Sequence, residues 1–461
     1  MSDLERRCAR ILKPLYRERA DISLYDAINQ STDLSISTPI VERTVEAISK
    51  FRRISKDFNV PDGRFMVMAT AALRTARNRQ QVMDKVLDQT GARIQLIDPQ
   101  VEALFGAMGA RSAFHKVPGG LFLDLGGGSV QMTWVDTSLE DYEMAAAKAG
   151  QSKKFGAAKV MYVLATAPGN VQTDEKAAMR KEIRGAFAEV QARFPALKEK
   201  VEKGEELDIY LAGGGFRGYG SMLMHTDPTQ PYPFPNEGAY TVPGDRFKRT
   251  SEMRLVNETT EGKIFGMSKR RRKQFPAILE VVEALIGAVP IRSATFCPGS
   301  NREGALMMIL PPDLREDNPI PKKQVPPIVV NILEGAMPAT EAPNIFSLGL
   351  VDIFLDDARS WRSSDPATNA STCLHEAATR FTGPVGFSDL QRAVLAIASC
   401  ARWCAPSKLS PLDAQLYGGI KHWLDIVHPD ACFWAEYIGS IANVMTSFSP
   451  RLGEDTSSRV R

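Results

Sequence analysis

Leu121-Phe122-Leu123-Asp124-Leu125-Gly126-Gly127-Gly128-Ser129-Val130-Gln131-Met132-Thr133-Trp134-Val135-Asp136 is the stretch whose reading decides how the rest of the chain is understood. An apolar run ends in a carboxylate, bends through three glycines and a serine, and resumes with β-branched and aromatic residues. Both flanks have strand composition, so the reading is strand, turn, strand. Lacking Cβ atoms, Gly126, Gly127 and Gly128 let successive N–H groups converge on an anion, and the Ser129 hydroxyl adds a donor. Asp124 stands where a carboxylate can hold a divalent cation against the same phosphate. The plainer alternative is a tight hairpin that uses glycine only for its backbone angles, although such a turn needs fewer glycines and no adjoining acid. A P-loop requires Lys-Ser or Lys-Thr and then a helix after its last glycine, and a dinucleotide fingerprint also opens a helix. Val130-Gln131 and a second strand follow here, which sets both aside.

Outward from this turn the chain alternates strand and helix. Residues 9–24 read as a strand and a loop, and Thr38 as an N-cap before Pro39. Val41, Val45, Ile48, Phe51 and Ile54 keep helical spacing. Short strands are expected at 65–69 and 94–97, and helices at 79–90 and 101–113. The grammar recurs at Leu207–Ala212, which runs into Gly213-Gly214-Gly215, and at Ala294–Cys297, which runs into Pro298-Gly299-Ser300-Asn301. Each is a strand stopping at a small-residue turn before a helix, which implies an α/β protein of two lobes around a cleft. The expected boundaries are 1–140 for the first lobe and 141–310 for the second. An irregular Pro- and aromatic-rich loop over 228–243 falls within the second lobe. Residues 311–327 read as a linker, 328–450 as a helical domain and 451–461 as a disordered tail.

The gross numbers exclude little. Lys plus Arg total 57 against 54 for Asp plus Glu, a balance that argues neither for nor against nucleic acid, so anion selectivity must come from local sites; no specific nucleic-acid binding is expected. Six scattered cysteines fit free thiols in a reducing, cytoplasmic compartment. Cys400 and Cys404 share a helix face with no second Cys/His pair at metal-site spacing, so they read as small buried hydrophobes. The apolar run 275–291 is interrupted by Glu280 and Glu283 and too short to span a bilayer, so no membrane partner is expected. Lys269-Arg270-Arg271-Arg272-Lys273 reads either as a nuclear-localisation patch, as a solvated helix start, or as the rim of a basic groove. Trp403, Trp423, Phe433, Trp434 and Tyr437 read as core of the helical domain.

Asp-Leu-Gly-Gly-Gly-Ser at 124–129, preceded by Ala69-Thr70-Ala71-Ala72-Leu73-Arg74 and by Glu102-Ala103, resembles the exopolyphosphatase/guanosine pentaphosphate phosphatase (Ppx/GppA) family. The wording of Tyr16-Arg17-Glu18-Arg19-Ala20-Asp21-Ile22-Ser23-Leu24 resembles its fungal, retrograde-regulation branch. The resemblance covers roughly 9–310 and implies a duplicated ribonuclease-H-like (actin-like ATPase) fold with an all-α C-terminal domain. It implies Glu102 as the carboxylate that orients water, Asp124 as its acidic partner and holder of Mg2+, and Arg74 reaching the phosphate chain. Gly126, Gly127, Gly128, Ser129, Gly213, Gly214 and Gly215 would cradle phosphate. Members also open with an Asp-x-Gly-Ser-Asn-Ser/Gly hairpin, the first phosphate loop; this chain lacks it, so unpaired strand edges are expected in the first lobe. Longer bacterial members carry His-Asp metal ligands in a C-terminal domain. Here only His375, His422 and His428 are available and no His-Asp dipeptide exists, so no zinc or other metal is assigned there.

Two functions follow. One is a regulator that senses ATP or phosphate in the inter-lobe cleft, engages a protein signalling partner, and links mitochondrial state to the nucleus. The other is a hydrolase that cleaves terminal phosphoanhydrides of polyphosphate or guanosine pentaphosphate by Mg2+-assisted attack of water. The retained Glu102 and Asp124 favour chemistry, and the absent first loop favours sensing. Either leaves oligomerisation open.

Overall fold

A computed structural model describes residues 15–114, 119–234, 238–316, 354, 365–379, 387–403 and 408–448. The first lobe opens with α1 (Leu24–Asn29), capped by the Ser23 hydroxyl, which accepts from the Asp26 N–H at 3.3 Å. α2 (Thr38–Asp57) starts one residue earlier than its spacing suggested, with Ser37 at the N-cap position and Pro39 in the first turn, where its missing N–H is harmless. Then come β1 (Val67–Ala69), α3 (Ala71–Thr75), α4 (Arg79–Thr90), β2 (Ile94–Leu96) and α5 (Pro99–Ser112). β1 and β2 pair in parallel across α3 and α4. Ile28, Ile36, Val41, Leu73, Val82 and Val86 close a small core beneath them. Of the strand expected at 9–17, residues 9–14 lie outside the described residues, and 15–23 contain no strand.

The second sheet begins with the quoted hairpin. β3 (Gly119–Leu125) and β4 (Val130–Asp136) pair antiparallel from Gly119↔Asp136 to Leu125↔Val130. α6 (Tyr142–Ala149), β5 (Gln151–Lys153), α7 (Ala157–Thr166), α8 (Gly169–Arg193), α9 (Pro195–Glu202), β6 (Leu207–Ala212) and α10 (Gly213–His225) follow. The lobe closes with β7 (Thr241–Pro243), α11 (Gly244–Phe247), α12 (Thr250–Thr259), α13 (Lys269–Ile286), β8 (Ile291–Phe296), α14 (Asn301–Ile309) and α15 (Pro312–Glu316). The order β5-β4-β3-β6-β8-β7, with β3, β6 and β8 parallel, is the ribonuclease-H-like arrangement plus one antiparallel edge strand. A boundary at residue 140 would fall inside this sheet, between β4 and β5, because hydrogen bonds to β6 tie the hairpin to the second lobe. The loop expected over 228–243 ends in a strand, β7, whose Thr241 hydroxyl meets that of Thr295 at 2.9 Å.

The basic run at 269–273 opens α13, and its arginines are engaged within the chain. Arg270 donates to the Ser23 hydroxyl of the first lobe at 3.2 Å and lies 3.5 Å from Asp26. Arg272 donates to the carbonyls of Asn257, Thr260 and Gly262. Arg17 on Glu303, at 3.0 Å, is a second tie between the lobes.

The helical domain contains α16 (Pro366–Thr379), α17 (Asp389–Trp403), α18 (Pro411–Val427) and α19 (Pro429–Phe448), with α17 buried along most of its length. Phe234, from the loop after α10, is fully buried in this domain, 5.3 Å from the Trp423 ring. That loop is therefore a plug joining the domains. Trp423 is core as expected, but Phe433 and Tyr437 are 61% and 41% exposed, because they stack on each other along the outer face of α19. The expected linker begins as α15, in which Glu316 accepts from Arg111 at 2.7 Å; residues 317–327 and the tail at 451–461 lie outside the described residues. Among the described residues no helix is long and apolar enough to cross a membrane.

α5 and α14 cross backbone to backbone. A Cβ on Gly109 would stand 2.0 Å from the Ser300 carbonyl oxygen, and one on Gly304 would stand 1.8 Å from that of Phe105. Gly304→Ala should lower unfolding stability by about 1–3 kcal/mol in urea titrations, since neither neighbour can yield. Gly185→Ala in α8 meets nothing within 4 Å and should instead add about 0.5–1 kcal/mol.

Candidate functional site

Asp124 is the penultimate residue of β3, level with Gln131 on one side and Ala212 on the other. The strand alternation turns its side chain toward α5, where it is 8% exposed. Two glycines make room for the carboxyl group. A Cβ on Gly213, whose φ is +88°, would fall 2.3 Å from Asp124 Oδ1, and a Cβ on Gly106 would fall 3.5 Å from Oδ2. Burial pushes the carboxyl up from the ordinary 3.8 to about 6; Arg217, one turn into α10, opposes that, and Glu102 adds to it.

Glu102 lies in the first turn of α5 and is 4% exposed. Its Oε2 accepts from Arg74 Nη2 at 2.6 Å, and the Arg74 guanidinium also donates to the Ile97 carbonyl. Arg74 thus reaches Glu102 from α3. Burial raises the Glu102 carboxyl, while Arg74 and the Thr70 hydroxyl pull it back.

The glycine turn is pinned from behind. Gly126 N–H donates to the Ser129 carbonyl at 3.0 Å and closes the hairpin, so this amide is committed to the turn. The carbonyls of Gly126 and Gly127 accept from the N–H groups of Ala157, Ala158 and Lys159 at the start of α7. Ser129 is buried and its hydroxyl accepts from Gln131 Nε2 at 2.6 Å, facing the sheet. The N–H groups of Gly127 and Gly128 donate no hydrogen bond among the described residues, and Gly127 is exposed. Of the four expected anion donors, Gly127 and Gly128 are the pair that the geometry leaves to a ligand. In the second triplet, Gly213 and Gly215 serve close packing on Asp124 and Leu125, and Gly214 faces outward toward Arg271 Nε.

Three residues at this place escaped the sequence reading. Arg217 sits one helical turn after Gly213, a spacing that could have flagged it. The Tyr25 ring lies on Gly128, 2.8 Å from where its Cβ would be, so a first-lobe aromatic covers one side of the turn. Asn301, at the start of α14, carries a buried Oδ1 without a hydrogen-bond partner, 3.3 Å from the same Gly106 position that adjoins Asp124. Among the described residues no three His, Cys, Asp or Glu side chains converge as a metal cage. A carboxylate beside an unpartnered amide oxygen does suit Mg2+, which takes few protein ligands and completes its shell with water and phosphate.

Residues 5–312 match the model of the Ppx/GppA phosphatase family. The chain belongs to that family. Residues 319–460 match the RTG2 C-terminal domain. The chain is 28% identical to Retrograde regulation protein 2 of Saccharomyces cerevisiae, over 96% of this chain and 77% of that protein. It is 24% identical to Exopolyphosphatase 1 of Mycobacterium leprae, over 64% of this chain and 81% of that one. Among solved structures, an exopolyphosphatase from Cytophaga hutchinsonii aligns with 64% of this chain and 89% of its own, at 19% identity and a TM-score of 0.47. Ppx/GppA phosphatases commonly use divalent metals.

The folded protein holds the Asp124 proton up to about pH 6, whereas the unfolded chain releases it near 3.8. The stability gained from the neutral acid is therefore complete below 3.8 and lost as pH rises through 6. Asp124→Asn should accordingly gain on the wild type by about 2–3 kcal/mol between pH 4 and pH 7.5 in urea denaturation. A constant difference across that range would mean the carboxyl titrates normally.

Proposed function

We propose that this Ppx/GppA protein is a phosphate- or nucleotide-binding regulator, acting in mitochondria-to-nucleus signalling through a phosphatase-type cleft and a protein partner. What supports this reading is that Glu102 lies near enough to Asp124 to raise its carboxyl, and that the N–H groups of Gly127 and Gly128, in the turn just after Asp124, donate no hydrogen bond among the described residues. The two amides and the helix start behind Gly214 supply positive N–H dipoles for phosphate oxygens. Mg2+, held by Asp124 and Asn301, would neutralise phosphate charge. The similarity to Retrograde regulation protein 2 along nearly the whole chain, helical domain included, supports regulation, and a cytoplasmic location goes with it.

The second reading, hydrolysis of polyphosphate or guanosine pentaphosphate, rests on the same acids and on the similarity to an exopolyphosphatase. Hydrolysis requires an ionised carboxylate to orient and deprotonate water. Glu102 meets that need only in part, since burial disfavours its charge, Arg74 offsets that only partly, and Arg74 occupies one of its oxygens. The ion pair therefore favours binding over turnover, which is why sensing is the preferred function.

Equilibrium ATP binding and phosphate release from ATP, guanosine pentaphosphate and polyphosphate separate the two. The sensor reading expects saturable, Mg2+-dependent ATP binding without release, weakened at least about tenfold in Gly127→Val and retained in Glu102→Ala. Release that Glu102→Ala lowers by about a hundredfold or more would make the protein an enzyme instead.

A further inference from the structure

A hollow of about 580 Å³ lies away from the glycine turn, where the second lobe meets the helical domain. The end of α10, β7, α12 and β8 form one side, and the start of α17 and the end of α18 form the other. Its wall is mostly apolar, with Leu223, Val242, Met253, Leu390, Trp423 and Ile426 around it. The size is that of a pocket for a small organic molecule, roughly 300–1,000 Å³.

Its polar groups have a definite bias. The three arginines on the wall are already engaged or neighboured by acids. Arg246 is held by Asp227 at 3.1 Å, Arg292 donates to Asp208 at 2.9 Å, and Arg249 lies 3.9 Å from Glu252. The acids are less well served. Asp389, 2% exposed, takes the Tyr232 hydroxyl on Oδ2 at 2.6 Å, but its Oδ1 accepts no hydrogen bond, with Arg392 3.9 Å away. Thr229 Oγ1 is likewise buried without a partner; Asp245, by contrast, is exposed and has no ion pair among the described residues. Buried acceptors left open in an apolar hollow call for a donor from outside the chain.

We propose that this hollow is a ligand site for a mainly apolar small molecule bearing an ammonium or amine group, which Asp389 and Asp245 would receive. Polyphosphate and nucleotides are poor occupants, because the acids outnumber the free cations and the wall is apolar. Burial pushes the Asp389 carboxyl up to about 6, with Arg392 and the Tyr232 hydroxyl opposing it and Asp227 adding to it, so a bound ammonium would add to the compensation that Arg392 supplies. A ligand here touches both domains at once. It would set how firmly the Phe234 plug seats the helical domain on the second lobe.

The test uses the full chain and two fluorescent probes of one apolar body and opposite charge, dansylcadaverine (ammonium) and dansylglycine (carboxylate). Saturable fluorescence enhancement with dansylcadaverine is expected, with affinity at least tenfold above that for dansylglycine. Leu390→Trp and Ile426→Trp, which fill the hollow from the helical side, should each abolish it. Asp389→Asn should weaken it at least tenfold; if that variant melts early, Asp245→Asn, nearer the mouth, should still weaken it severalfold. ATP binding at the glycine turn, measured in the same samples, should be unchanged by Ile426→Trp, so failure of either site is read separately. Equal affinity for both probes, binding that survives both filling variants, or no saturable binding would overturn the proposal.

Discussion

A carboxyl group enclosed by backbone governs this molecule. Asp124 can occupy its place only because Gly213 and Gly106 present no Cβ to it, and because α5 approaches closely enough to bring Glu102 alongside. That approach depends in turn on Gly109 and Gly304, where two helices touch carbonyl to α-carbon. The cost is electrostatic. Two acids share a poorly hydrated space with Arg74 and Arg217 as compensation, and burial still wins at Asp124. A site strained in this way gains from any ligand that brings positive charge, which is how Mg2+ and phosphate would act together.

The same geometry ties the lobes. Tyr25 and Ala71 of the first lobe lie against Gly128 of the second, and Arg270 reaches back to Ser23. Contacts between the lobes therefore cluster around the turn, so a ligand seated there would report on their relative position. The helical domain is joined elsewhere, through Phe234 and the Tyr232–Asp389 hydrogen bond.

Much of the fold was legible because it rests on local pattern. The hairpin, α4, β6 and the small-residue turns are written in alternation, glycine and proline, and they stand where the spacing put them. Glu102 and Asp124 were singled out from a motif that carries both, and the structure buries the two and sets Glu102 near enough to raise the Asp124 carboxyl. What failed was non-local. The lobe boundary was misplaced since the pairing of β3 with β6, more than eighty residues on, leaves no trace in either strand. β7 was hidden in a proline-rich segment whose strand character comes only from its neighbour β8. The outward stacking of Phe433 on Tyr437 breaks the rule that aromatic residues on a helix mark the core. Arg217 was signalled only by its spacing one turn after Gly213, and Asn301 is an isolated polar residue whose meaning appears only when α14 closes on α5 beside Asp124.

The central claim is that Asp124 is a buried acid whose ionisation is opposed by its surroundings and by Glu102. Carboxyl-carbon NMR titration of protein labelled in aspartate and glutamate measures this directly. The account predicts a resonance, absent in Asp124→Asn, that titrates near 6 and moves to lower pH in Glu102→Gln. A resonance titrating near the ordinary 3.8, indifferent to Glu102→Gln, would contradict it.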